Sequence, residues 1–195
     1  MLTVTRLEDR VCPVWAYFPG TDVPMGNLLF VDPAWYEAHR DHFAPSWGKL
    51  SVGRGWPVVL EDAPAIDVLR VADKFAPVAG SVRITNDDPG PSVPHTVVHF
   101  GVPLSLVQQL TLDPSAMAAA VEGGREAWVT FRADEPAAVP TAQHEIGHTL
   151  GLVHTDVPGE IMFGAYIVTT DARYFSPDQL TTMAALADYN LKTYG

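Results

Sequence analysis

The chain has 195 residues, of which 47% are hydrophobic and 18% charged, and its formal net charge is −11. These proportions exclude an intrinsically disordered chain, and the length fits one folded soluble domain with a sizeable core. The acidic balance argues against nucleic acid or an anionic membrane as a partner, and no apolar run approaches the roughly 20 residues of a membrane span.

The first 60 residues are rich in turn-forming and aromatic side chains. We interpret residues 1–60 as an N-terminal extension, either a pro-segment or an added part of the fold, that precedes a domain over residues 61–195. Within the extension, Asp32-Pro33 predicts a short helix that runs to about Phe43. The sequence begins without the apolar stretch of a secretory signal, which leaves a cytoplasmic location and an absent or unconventional leader both open.

The next part of the chain alternates helical and extended patterns. Apolar spacing, capping residues and β-branched runs predict two helices and three strands. In chain order these are a helix over residues 62–76, strands over 81–85 and 95–100, a helix from Asp113-Pro114 through an alanine run to Val121, and a strand over 127–132. Carboxylates in the turns at Asp87-Asp88 and Asp134-Glu135 would suit calcium, but they lack the regular ligand spacing of a calcium loop.

A chemically distinctive stretch runs from His144 to His154, where HEIGHTLGLVH fits the pattern H-E-x-x-H-x-x-G-x-x-H. On a helix, His144 and His148 lie one turn apart on the same face, where two neutral ring nitrogens can bind one ion. Gly151 can take the positive φ that ends the helix and turns the chain, which brings His154 back as a third ligand. Three protein ligands leave the fourth position of a tetrahedral zinc to water, as in catalytic sites.

Glu145 is offset from His144 by about 100° around this helix, which is expected to begin at Pro140 or Thr141. It can therefore reach the water without displacing a ligand. Zinc lowers the pKa of its water to about 7, so a carboxylate can act as general base while the ion polarises a carbonyl group. The pattern predicts peptide hydrolysis without a covalent intermediate. The alternative is a chance match on a core helix, and the added glycine and third histidine argue against it.

The motif is the zinc-binding signature of the metzincin metallopeptidases, and the residues after it resemble matrixins more narrowly. Met162, eight residues beyond His154, matches the methionine that forms an apolar floor beneath the metal in metzincins. Tyr166 matches the tyrosine in the Pro-x-Tyr wall of the matrixin specificity pocket, although Gly164 stands where that family has proline. Residues 176–179, Ser-Pro-Asp-Gln, form a capping box for a final helix, which also resembles the last helix of a matrixin catalytic domain.

The resemblance implies an α+β, zincin or metzincin-like fold, with a twisted, mostly parallel sheet, an active-site helix and a small C-terminal subdomain that ends in a helix. It implies a zinc-dependent endopeptidase with one catalytic ion on the three histidines and with Glu145 as base. Gly151 and Met162 would support the site and Tyr166 would line the substrate pocket. The expected partner is a peptide or protein that lies extended along a sheet edge. We expect a monomer, and the family favours a secreted protein.

Two other functions remain open. The protein could be a latent or non-catalytic zinc protein that binds a partner, which the retention of Glu145 argues against, or a hydrolase of small amides or peptide termini. Cys12 is the only cysteine, so no internal disulfide can form. In matrixins a propeptide cysteine occupies the open zinc position, but the flanks of Cys12 lack the Pro-Arg-Cys-Gly pattern of that family. Latency through Cys12 is therefore one hypothesis, and an ordinary small residue is the other.

Overall fold

The computed structural model describes residues 16–17, 49–164 and 173–195; Cys12, Tyr166 and the helix predicted from Asp32 lie outside them. The strands are β1 (Ala16–Tyr17), β2 (Ser51–Gly53), β3 (Trp56–Leu60), β4 (Val82–Thr85), β5 (Thr96–Phe100), β6 (Ala118–Ala120) and β7 (Glu126–Val129). The α-helices are α1 (Ala65–Phe75), α2 (Leu104–Thr111), α3 (Ala138–Thr149) and α4 (Pro177–Tyr194), and a 3-10 turn, Ala76–Val78, extends α1. None of these helices is both long and apolar enough to cross a membrane.

The seven strands form one sheet in the order β1-β2-β4-β3-β5-β7-β6. The four central strands, β4, β3, β5 and β7, run parallel to one another, and β1, β2 and β6 pair antiparallel at the two sides. A parallel pair needs a crossover connection, which α1 supplies between β3 and β4. The arrangement confirms the predicted α+β fold with a mostly parallel sheet.

The centre of the sheet and helix α1 hold α3, the helix that carries His144 and His148. Every residue of β3 is apolar and buried, as expected of a parallel strand that is covered on both faces. Helix α1 packs against β2 and β4, α3 packs against β5, β6 and β7, and the two helices contact each other. At their contact, the Gln143 side chain of α3 donates to the Arg70 carbonyl of α1 at 3.0 Å. Helix α3 is therefore held by both the sheet and α1.

The alanine run is strand β6, so the helix predicted from Asp113 to Val121 is wrong. Strand β6 pairs antiparallel with β7, with Ala119 opposite Trp128. Asp113 instead stabilises a tight turn, in which its carboxylate accepts from the Ser115 backbone N–H at 2.8 Å and hydroxyl at 2.7 Å. Helix propensity is a weak preference, and the hydrogen bonds that β7 offers to a neighbouring strand override it.

The other elements that were predicted within the described residues lie within a few residues of the observed ones. Helix α1 begins after Pro64, three residues later than predicted, because Asp62 has a positive φ of 54°. Helix α3 begins at Ala138, which places Pro140 in the first turn, where proline is tolerated. The domain boundary at residue 60 stays a prediction; β2 and β3 precede it and pair with strands that follow it.

Candidate metal centre

Two histidines project from the C-terminal half of α3. His144 and His148 are four residues apart on one face of the helix, and their ring centroids are 4.8 Å apart. Gly151 then takes a left-handed conformation with a φ of 83°, and the Leu152 N–H donates to the Gly147 carbonyl at 2.9 Å. This turn directs the chain back, so that the His154 ring lies beside the two helical histidines.

The Nε2 atoms of the three histidines form a nearly equilateral triangle. The His144 atom lies 3.1 Å from each of the other two, and the His148 and His154 atoms are 3.2 Å apart. A tetrahedral zinc about 2.0–2.1 Å from each nitrogen requires nitrogens about 3.3–3.4 Å apart. The observed spacing is close to that requirement.

The second nitrogen of each helical histidine determines its tautomer. The Nδ1 of His144 lies 2.7 Å from the Ile161 carbonyl oxygen, and that of His148 lies 2.7 Å from the Leu152 carbonyl oxygen. Because a carbonyl oxygen only accepts, both Nδ1 atoms carry the proton and both Nε2 lone pairs are available to a metal. The Nε2 atom of His154 lies within 3.2 Å of both of them, and imidazole nitrogens suit zinc. The residues therefore fit one zinc ion with a fourth position for water.

Burial keeps the helical histidines neutral. It lowers the pKa of His144 to about 4, against the opposing effect of the hydrogen bond to Ile161 and with a further contribution from the neighbouring histidines. Burial is also the main cause of the lowered pKa of His148. Because a neutral ring is the form that binds metal, both side chains are ready to bind at neutral pH.

Glu145 follows His144 in α3, and only 6% of its surface is exposed. Burial raises the pKa of Glu145 to about 8. A carboxyl group in such surroundings ionises when a positive charge lies nearby, and a cation held by the three histidines would supply that charge. We therefore expect a cation at the histidine triangle to favour ionisation of Glu145.

Met162 is fully buried and packs against α3 at Gly147. A Cβ atom built on Gly147 would overlap the Met162 sulfur, so glycine is needed for this close approach. Sequence reasoning missed Gly147 as a site residue. The available signal was a glycine inside a helix, which costs about 1 kcal/mol relative to alanine and so indicates a packing reason.

The acidic turns that were considered for calcium make ion pairs with basic side chains. Asp87 lies 3.2 Å from Lys49, and Asp134 lies 3.3 Å from Arg132. Within residues 49–164 and 173–195, the three histidines are the only group of three or more His, Cys, Asp or Glu side chains close enough to share a metal. The predicted roles of Cys12 and Tyr166 fall outside the described residues.

A mostly parallel sheet with a packed H-E-x-x-H helix, followed by a glycine turn and a third histidine, defines the class of zinc metallopeptidase domains. The sequence profile of the matrixins matches residues 70–186, more than half of the chain, and the protein therefore belongs to the matrixin family. At the level of the family it is a zinc metallopeptidase, with peptides or proteins as substrates. No curated protein matches the sequence significantly.

Proposed function

We propose that this protein is a metzincin-type endopeptidase that cleaves internal peptide bonds with one zinc ion. His144, His148 and His154 hold the zinc through Nε2, and Glu145 is the general base. The observation that carries the proposal is the triangle of Nε2 atoms, 3.1–3.2 Å apart, together with a buried glutamate that follows His144 directly in α3. When bound, zinc acidifies a water molecule and polarises the carbonyl group of the substrate.

Glu145 moves the proton in the proposed reaction. It accepts a proton from the attacking water and later donates it to the nitrogen of the leaving amine. Burial favours the protonated carboxyl group, which helps Glu145 to hold the proton between these two steps. The Nδ1–H groups of His144 and His148 remain hydrogen-bonded to backbone carbonyls, which keeps both ligands in one tautomer.

Three further residues have proposed supporting roles. Met162 forms the apolar floor of the site by packing on the helix at Gly147, and Gly151 permits the turn to the third ligand. Tyr166 is proposed to shape the primary specificity pocket on the strength of its position after Met162. A Cβ atom on Gly164 would lie 3.3 Å from the His154 ring, so a proline there would press on the proposed ligand.

Edge strand β6 is the proposed docking edge for the substrate. It pairs with β7 on one side, and no other described strand pairs with it. After β6 the chain passes beside helix α3, where the Gly123 N–H donates to the His148 carbonyl at 2.9 Å. A peptide that adds to this edge as a further strand would bind through its main chain and would run close to the histidines.

Digestion of a peptide library tests the proposal. Products are mapped by mass spectrometry for the zinc-loaded protein, for protein treated with a chelator, and for chelated protein to which zinc is restored. Internal cleavage that is lost and regained with zinc is expected. Cleavage confined to peptide termini would support the alternative of a terminal hydrolase, and zinc bound without any cleavage would support a binding protein.

The same digestion tests latency through Cys12. Fresh full-length protein is compared with the Cys12→Ser variant over the first minutes after zinc loading. A thiolate that blocks the open zinc position would make the variant faster from the start. Equal initial rates would exclude this role for Cys12.

A further inference from the structure

A buried carboxylate lies in the methionine loop, which we define as residues 159–163. Glu160 is only 9% exposed, and a glutamate side chain is rarely buried to this extent unless it is paired. Its Oε2 atom accepts a hydrogen bond from the Gln179 side-chain amide at 2.9 Å. The pair joins the methionine loop to the first turn of α4.

Gln179 uses the other end of its amide for a different purpose. The side-chain Oε1 atom of Gln179 accepts from the Ser176 backbone N–H at 2.9 Å. The backbone N–H of Gln179 donates to the Ser176 hydroxyl at 3.4 Å, and the two hydrogen bonds together form a capping box. A capping box needs only an acceptor at this position, and glutamate serves as well as glutamine. The amide NH2 group of Gln179 is therefore required by Glu160 and not by the helix.

The methionine loop carries the carbonyl that orients a proposed zinc ligand. Ile161 follows Glu160 directly, and its carbonyl oxygen lies 2.7 Å from His144 Nδ1. On its other side, the Ile161 N–H donates to the Tyr174 carbonyl at 2.9 Å, and the Tyr174 N–H donates to the Gly159 carbonyl at 3.3 Å. The position of the Ile161 carbonyl therefore depends on how the loop is held on both sides.

We infer that Glu160 and Gln179 form a positioning pair that holds the His144 ring in its metal-binding orientation through the Ile161 carbonyl. The inference rests on the proposed zinc site and adds α4 to its support. If the pair is broken, the carbonyl can shift and the His144 ring can turn away from the other two ligands. Loss of a group that orients a ligand typically weakens metal binding by about 10- to 100-fold.

Three variants of the full chain separate positioning from helix capping. Gln179→Glu keeps the acceptor for Ser176 but sets one carboxylate against another. Glu160→Ala leaves the capping box intact and removes the acceptor of the pair. The double variant Glu160→Gln/Gln179→Glu restores the hydrogen bond with donor and acceptor exchanged. Gln109→Glu, on the exposed side of α2, adds the same charge elsewhere and is the matched control.

Each protein is measured in three ways: zinc affinity by competition with a chromophoric chelator, the visible spectrum of the cobalt-substituted form, and thermal unfolding without metal. Both single variants are expected to bind zinc about 10- to 100-fold more weakly and to show altered cobalt bands. The double variant is expected to recover to within about threefold of the parent, and Gln109→Glu to match the parent.

Unchanged zinc affinity and cobalt bands in both single variants would overturn the inference, even if their melting temperatures fall, because the pair would then only stabilise the fold. A double variant that remains as weak as the single ones would also overturn it. Should Gln179→Glu fail to fold, Glu160→Ala provides the same comparison. A parent protein that binds no zinc would overturn the proposed function itself, and this inference with it.

Discussion

At the scale of single residues, two opposing effects act on the protonation of Glu145. The proposed reaction needs its anion, whereas burial raises the pKa of Glu145 to about 8. A cation on the three histidines would favour the anion, so the same side chain is expected to behave differently with and without metal. The substitution Glu145→Gln separates these effects when peptide cleavage is measured with zinc and stability is measured without metal.

Glu145→Gln is expected to lower kcat/KM for a cleaved peptide by about 10²- to 10⁴-fold, because it removes the proton acceptor. Zinc content should stay at about one ion per chain, since all three histidine ligands remain. Activity is measured with a quenched peptide and zinc by metal analysis. Glu126→Gln, on the exposed side of β7, is the control. Near-normal activity of Glu145→Gln would refute the proposed mechanism.

In metal-free protein, Glu145→Gln is expected to change how the free energy of unfolding depends on pH. The unfolded chain loses the Glu145 proton near pH 4.5, and the folded chain keeps it to about pH 8. Rising pH between these values therefore costs the parent stability but not the glutamine variant. From pH 5 to pH 8.5 the variant should gain about 2 to 5 kcal/mol relative to the parent, measured by urea unfolding with chelator present. A difference that does not vary with pH would contradict this prediction.

At the scale of elements, the packing of helix α3 on the methionine loop depends on the contact between Gly147 and Met162. Gly147→Ala places a methyl group on the Met162 sulfur. We expect a loss of about 1 to 3 kcal/mol in unfolding free energy from this overpacking. The double variant Gly147→Ala/Met162→Ala should recover part of the loss, because the shorter side chain makes room. Additive losses, measured by chemical unfolding, would show that the two positions do not compete for space.

Strand β6 leads to a prediction about the substrate. The Thr130 N–H donates to the Met117 carbonyl at 3.2 Å, so the antiparallel alternation places the backbone groups of Ala118 and Ala120 on the open edge. A substrate strand on this edge would hydrogen-bond at every second residue. N-methylation of successive substrate amides should therefore raise KM at alternate positions. A uniform effect, or none, would argue against strand addition.

At the scale of the whole molecule, the sheet joins residues on both sides of the predicted boundary at residue 60. Strand β3 pairs with β4 and β5, and its Trp56 side chain is buried and donates to the Thr96 hydroxyl at 2.9 Å. A chain that begins at residue 61 lacks this central strand and is expected not to fold, because the loss exceeds a typical stability of about 5–15 kcal/mol. A chain that begins at residue 49 keeps it. Circular dichroism and cooperative unfolding distinguish the two chains, and a folded 61–195 chain would contradict the prediction.

The sequence alone predicted three of the four described helices, three of the seven described strands and the histidine pattern of α3, because these depend on short-range spacing. The α+β fold class was instead implied by the resemblance to matrixins, and helix α2 and strands β1, β2 and β3 had no predicted counterpart. Two ligands one helical turn apart and a glycine that accepts positive φ are local features that any fold must accommodate. The capping box of α4 is local in the same way, and the structure has it at Ser176 and Gln179 as predicted.

Only the tertiary structure decided which partners distant parts of the chain find. The alanine run became a strand because β7 lies beside it, and Gly147 matters because Met162 packs against it. The bond from His144 to Ile161 spans 17 residues, and that from Gln179 to Glu160 spans 19. No local pattern specifies such contacts, since packing and hydrogen-bond geometry arise only once the sheet and helices are assembled.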